Sequence, residues 1–117
     1  MNFAAGQGIL GRIHFANGSM PEYDRPYLLV SANDEYIEVL IISSIEGKER
    51  KLLFPSNERL KVYDPPFDKP SFVKLDSLTR VAKADWTDLK ILRGGEPLDK
   101  TEFSRIMNLL HDFEEQI

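Results

Sequence analysis

Residues 24–44 read DRPYLLVSANDEYIEVLIISS. Two apolar runs, 26–32 and 36–44, are separated by Asn33, Asp34 and Glu35 alone. Both are short for a helix and rich in Val, Ile, Leu and Tyr, so they read as strands, the first short enough to be fully buried. A polar link this short joins them as an antiparallel hairpin. Pairing about Asn33–Asp34 sets position 25 across from 42–43. Arg25, at the mouth of the first strand, and Ser43 and Ser44, at the tail of the second, therefore meet at one rim. Pro26 fixes its own φ and stiffens the strand start beneath Arg25. A planar, permanently charged guanidinium on a rigid mount suits a phosphate. Read from these residues alone, a solvated arginine and two strand-ending serines bonded to backbone fit as well.

The remaining chain supplies more short strands. ILGRIHF (9–15) reads as a strand, and ANGSMPEYD (16–24), with Asn17-Gly18 and Pro21, reads as a loop. IEGKERK is a charged turn around Gly47 that leads into KLLF (51–54), and RLKVY (59–63) is a candidate strand. DPPFDKP, with three prolines in seven residues, fits neither a central strand nor a helix interior. SFVKL (71–75) and LTRVA (78–82) read as strands or extended segments, and ADWTDL (84–89) as a helical turn. The end is helical. Asp99 and Glu102 stand at capping-box spacing, and Phe103, Ile106, Met107, Leu110, Phe113 and Ile117 follow on one face. Many short strands followed by an amphipathic helix imply an α+β fold, a small curled sheet or barrel with the helix packed on it.

Length and composition set the outer limits. At 117 residues and 42% hydrophobic the chain is sized for one domain, 1–117, with a buried core. The absence of cysteine excludes disulfides, thiolate metal sites and a cysteine nucleophile, and fits a cytoplasmic location. The N-terminal stretch lacks the charged start and sustained apolar run of a signal peptide, and no run is long enough to cross a bilayer. The formal net charge of −4 argues against a nucleic-acid partner at first. Asp99, Glu102, Asp112, Glu114 and Glu115 against Lys100 and Arg105 leave −3 on the last twenty residues, so all the others together carry only −1. Screening within about 8–10 Å lets a local basic cleft act despite that total.

P-loop, GxGxxG and HExxH motifs are absent, so no cofactor is expected, and no cluster has metal-ligand spacing. His111 lies among acidic residues of the terminal helix and reads as a surface residue. His14, between Ile13 and Phe15, points to the opposite strand face from both and reads as structural or surface. In SFVKLDSL, alternation sets Phe72, Lys74 and Asp76 on one face. That grouping fits a surface ion pair, or a phosphate contact beside an orienting carboxylate.

Taken in order, these stretches resemble the MazF/PemK family of toxin ribonucleases of bacterial toxin–antitoxin systems. GRIHF (11–15) is similar to the family's opening strand, RPYLLVS (25–31) to its Arg-Pro strand, and LIISS (40–44) to the strand bearing its hydroxyl residue. SFVKLDSLTRV (71–81) resembles its fourth motif, and LRGGEPLD resembles the lead into its last helix. The resemblance spans about Gly11 to Leu110. It implies an SH3-like barrel with a C-terminal helix, a homodimer, a cognate antitoxin and sequence-specific, metal-independent cleavage of single-stranded RNA. It sets the family's catalytic arginine on Arg25 and its catalytic threonine on Ser43, which keeps the hydroxyl and lacks the methyl. The basic residue and aspartate of the PemK/Kid branch fall on Lys74 and Asp76, and that branch's loop histidine has no counterpart. Arg12 stands where many relatives carry an acidic residue. The implied catalytic set is Arg25, Ser43 and Asp76, with Lys74, Arg12, His14 and Ser44 binding substrate. Phe15, Tyr23 and Tyr27 are candidates for stacking bases, and loop 16–24 for gating access. A barrel of this fold that binds without cleaving, and a gyrase poison like CcdB, are the alternatives.

Overall fold

The computed structural model describes residues 2–14 and 17–116. Its strands are β1 (Gly8–Gly11), β2 (Arg25–Ala32), β3 (Tyr36–Ser44), β4 (Asn57–Arg59), β5 (Ser71–Lys74), β6 (Thr79–Ala82) and β7 (Lys90–Ile91). One helix, α1 (Lys100–Glu115), ends the chain. The fold is a small α+β unit with an antiparallel seven-stranded sheet among the described residues.

β2 and β3 pair as the hairpin does in sequence, Tyr27 with Ile41 and Leu28 with Leu40. The register shifts by one between Leu29 and Ser31, a bulge that leaves Val30 outside the pairing. Asn33 shapes the turn by accepting from the Glu35 and Tyr36 backbone N–H groups. β3 is the organising strand. Along its other edge Tyr36–Val39 pair with β6, and Ile42–Ser44 pair with β5. The strands run β4-β5-β3-β2-β1-β7, with β6 joining at β3. That path is open among the described residues, so the expected closed barrel is corrected to a curled sheet whose outer strands do not pair. β4 and β7, three and two residues long, stand at the two ends of that path.

Both faces of the sheet centre are buried, which is why β2 and β3 read as nearly unbroken apolar runs. On one face Leu28, Leu40, Ile42 and Val73 pack with Ile106 and Leu110 of α1. On the other, Ile9, Tyr27, Leu29, Ile37, Val39 and Val81 pack with Leu89, edged by Phe3 and Trp86. Gly11 is the contact point of that second layer. A Cβ there would lie 2.6 Å from the Leu89 side chain and 3.4 Å from the Asp88 carbonyl oxygen, so a larger residue would force the buried Leu89 to shift.

The helix begins where the sequence sets it: Asp99 accepts from the Glu102 N–H at 3.0 Å. The reciprocal half of the capping box is absent. Glu102, only 4% exposed, turns instead to the Lys61 and Val62 N–H groups and to Arg105, which also reaches Glu58 and the Arg59 carbonyl. Phe103, Ile106, Met107, Leu110 and Phe113 form the packed stripe; Ile117 lies outside the described residues.

Other expectations shift. The first strand spans Gly8–Gly11 rather than 9–15, and Phe15 lies outside the described residues. Beyond Gly47 the chain winds into a 3-10 turn, Glu49–Leu53. The strand expected at 59–63 lies earlier, at Asn57–Arg59; Leu60, whose N–H still donates to the Ser71 carbonyl at 2.9 Å, is buried in the layer beneath α1. The helical turn near 84–89 is a 3-10 turn at Lys83–Asp85, and β7 is an additional strand. No helix of the described residues is long and apolar enough to cross a membrane.

Candidate active site

The face of β2 and β3 turned away from α1 carries Tyr27 opposite Ile41. Continuing that register by two residues, which returns to the same face, sets Arg25 level with Ser43. Both residues are partly exposed, and Ser43 pairs on its other side with the buried Phe72. The Arg25 guanidinium lies 5.3 Å from the centre of the Tyr23 ring, a side chain 61% exposed on the preceding loop. Ser43 Oγ accepts a hydrogen bond from Lys48 Nζ at 3.0 Å.

The third component arrives through a change of partner. β3 passes from β6 to β5 at Leu40–Ile41, where the Ile41 N–H has no strand opposite. Ser77, in the turn joining β5 to β6, fills the gap: its Oγ accepts from Ile41 N at 2.8 Å and donates to the Lys74 carbonyl at 2.6 Å. That bond fixes the 75–78 turn, which carries Asp76, beside Ile41. The result is a cavity of about 160 Å³ lined by His14, Tyr27, Ile41, Asp76, Ser77 and Thr79, among others. Tyr27 forms part of its wall and is 2% exposed. Burial pushes the Tyr27 phenol pKa up, against the opposing pull of the Ile13 backbone and the Arg25 charge. The phenol therefore stays protonated and can donate as well as accept.

The remaining expected site residues divide. His14 is exposed and lines this cavity and a second one of about 280 Å³, which also holds Arg12, Arg80, Asp85 and Asp88. Arg12 faces Asp24 at 3.6 Å in a half-exposed pair, so the neighbouring carboxylate offsets part of its positive potential. Lys74 ends β5 on the pleat of Ile41, by continuation of the β3–β5 register. Phe72 and Lys74 share a face of β5 as alternation expects, Phe72 buried and Lys74 the last strand residue, whereas Asp76 lies in the turn beyond, where alternation no longer applies. Among the described residues no ion pair joins Lys74 to Asp76. Ser44, expected to bind substrate at the same rim as Ser43, stands on the other face of the sheet. Adjacent strand residues face opposite ways, and Ser44 lines a different cavity with Leu10, Pro26, Phe67 and Ser71. His111 is a surface residue 3.1 Å from Glu115, as its acidic neighbourhood suggests.

Two members were missed from sequence. Ser77 contacts a residue 36 positions away, and no local pattern marks it. Lys48 had a signal: it follows Gly47, three residues beyond Ser44, where a tight turn returns the chain to the strand end. Among the described residues no group of three or more His, Asp or Glu side chains is disposed to hold a metal ion. No protein-family model matches this chain, and no curated protein matches it significantly.

Proposed function

We propose that this protein is a metal-independent endoribonuclease that cuts single-stranded RNA, acting as a toxin of the MazF/PemK type. Its sheet would be an opened form of the SH3-like arrangement, and it would work in the cytoplasm as a homodimer restrained by a cognate antitoxin. One observation carries the reading. The hairpin register sets Arg25 and Ser43 on one face, directly beyond Tyr27 and Ile41, which share a cavity with His14 and Asp76. The same residues are those the motif resemblance selects.

RNA supplies its own nucleophile, so such a site has modest demands. The 2′-oxygen attacks the adjacent phosphorus, the P–O5′ bond breaks, and a 2′,3′-cyclic phosphate and a 5′-hydroxyl result. Negative charge builds on the non-bridging oxygens, where the Arg25 guanidinium can stabilise it through two parallel hydrogen bonds. Ser43 donates to a phosphate oxygen. Asp76 accepts the 2′-hydroxyl proton, and the departing 5′-oxygen takes its proton from solvent beside Arg25, with His14 across the same cavity as Asp76 contacting the substrate. Lys74 and Arg12 hold flanking phosphates, and Tyr23, exposed beside Arg25, offers a stacking surface for a splayed base.

The test is cleavage of a long single-stranded RNA by purified protein in EDTA. Arg25→Ala is expected to lower the rate by about a hundredfold or more, as loss of a charge-stabilising donor does, with its melting curve unchanged. Undiminished cleavage by Arg25→Ala would remove the arginine from the mechanism. An intact wild-type protein that binds RNA or protein without cutting would favour the binding-module alternative.

A further inference from the structure

Serine is a poorly defined hydrogen-bond donor. It lacks the second Cβ substituent that restricts χ1 in threonine, and its hydroxyl proton rotates to suit its neighbours. Ser43 is partly exposed, so packing alone does not choose its rotamer. What it has instead is a charged neighbour. Lys48 Nζ donates to Ser43 Oγ at 3.0 Å. An ammonium has three donors and no acceptor, so it occupies a lone pair of the oxygen and cannot receive the hydroxyl proton. That proton must point elsewhere, toward another acceptor.

The approach of Lys48 is built by the backbone. A turn across residues 45–48 closes with Lys48 N–H donating to the Ile45 carbonyl at 2.8 Å. Gly47 sits at φ +74°, a conformation that L side chains rarely adopt. The turn reverses the chain at once beyond β3, so the Lys48 stem runs back over the strand end. Lys48 makes no ion pair with a carboxylate among the described residues, so its charge is directed at Ser43 rather than at Glu46 or Glu49.

We infer that Lys48 is a positioning residue for the candidate ribonuclease site: it holds the Ser43 side chain in one rotamer and orients its hydroxyl proton toward the scissile phosphate. This rests on the ribonuclease reading and adds a residue that reading does not use. It explains how a serine can perform a task that otherwise favours a β-branched residue. It also predicts a dependence between the two positions. Once χ1 at position 43 is restricted covalently, the lysine becomes dispensable.

The experiment is single-turnover cleavage of a labelled single-stranded RNA transcript by wild type, Lys48→Ala, Ser43→Thr, the Ser43→Thr/Lys48→Ala double variant and Lys51→Ala. Lys51→Ala removes a nearby charge that does not touch Ser43. Lys48→Ala is expected to lower the saturating rate by about ten- to a hundredfold with little change in half-saturating protein concentration, the pattern of lost alignment rather than lost binding. Lys51→Ala is expected to cleave like wild type. Ser43→Thr/Lys48→Ala is expected to recover most of the rate that Lys48→Ala loses. Wild-type cleavage with an equally active Lys48→Ala overturns the inference and leaves the ribonuclease reading intact. So does a Lys48→Ala defect confined to half-saturation, or one that Ser43→Thr does not relieve. No cleavage by wild type overturns the ribonuclease reading itself, and the inference with it.

Discussion

Ser77 shows how much of the candidate site depends on one hydroxyl. It occupies the gap where β3 exchanges partners, and it ties the Asp76 turn to the strand that bears Ile41 and Ser43. Ser77→Ala leaves the Ile41 N–H and the Lys74 carbonyl without this partner. The expected loss is about 1–3 kcal/mol of unfolding free energy in urea titrations, together with slower RNA cleavage as Asp76 loses its anchor. Ser77→Thr keeps the hydroxyl and is expected to retain more of both. A Ser77→Ala protein of unchanged stability would show that another group satisfies Ile41. Ser43 and Ser44 make a complementary point. They are adjacent in sequence and identical in chemistry, yet the pleat sends one to the candidate site and the other to a separate cavity.

The hairpin and the helix were legible because their determinants are local. A three-residue link, an Asx turn and strand propensity define β2–β3, and the i, i+3, i+4 stripe with Asp99 at its head defines α1. The Arg25–Ser43 pairing followed from that local register. What could not be read was anything set by the third dimension: the partner exchange on β3, the seat of Asp76, and the role of Glu102. Its spacing suggests a capping box, but the nearby Lys61 and Val62 N–H groups and Arg105 claim the carboxylate. This network fastens α1 to the segment after β4. The Arg105 hydrogen bonds hold the Glu102 pKa below the usual carboxylate range, aided by the two N–H groups and opposed by burial. A lowered folded-state pKa stabilises the fold above the unfolded carboxylate range, and that contribution disappears as pH falls through the folded value. Glu102→Gln is therefore expected to cost about 2 kcal/mol at neutral pH, with the gap to wild type narrowing in acid. Melts of both proteins across that range check it. A gap independent of pH would place the role of Glu102 in packing rather than charge.

Taken whole, the molecule separates its duties by face. α1 covers one side of the sheet and presents Asp112, Glu114 and Glu115 on its exposed surface. The opposite side ends in Arg25, Ser43 and Lys48, next to a cavity walled by His14, Tyr27 and Asp76. An anionic chain would meet local positive charge there, while the acidic helix lies across the sheet. Because the 2′-hydroxyl would be the nucleophile, the chemistry leaves a mark that no hydrolysis by activated water leaves. The most direct measurement is the structure of the RNA termini made in EDTA. The expected result is a 2′,3′-cyclic phosphate upstream and a 5′-hydroxyl downstream, with both lost in Arg25→Ala. A 5′-phosphate beside a free 3′-hydroxyl, or cleavage that ceases when the 2′-hydroxyls are kept and only metal is withdrawn, would contradict it.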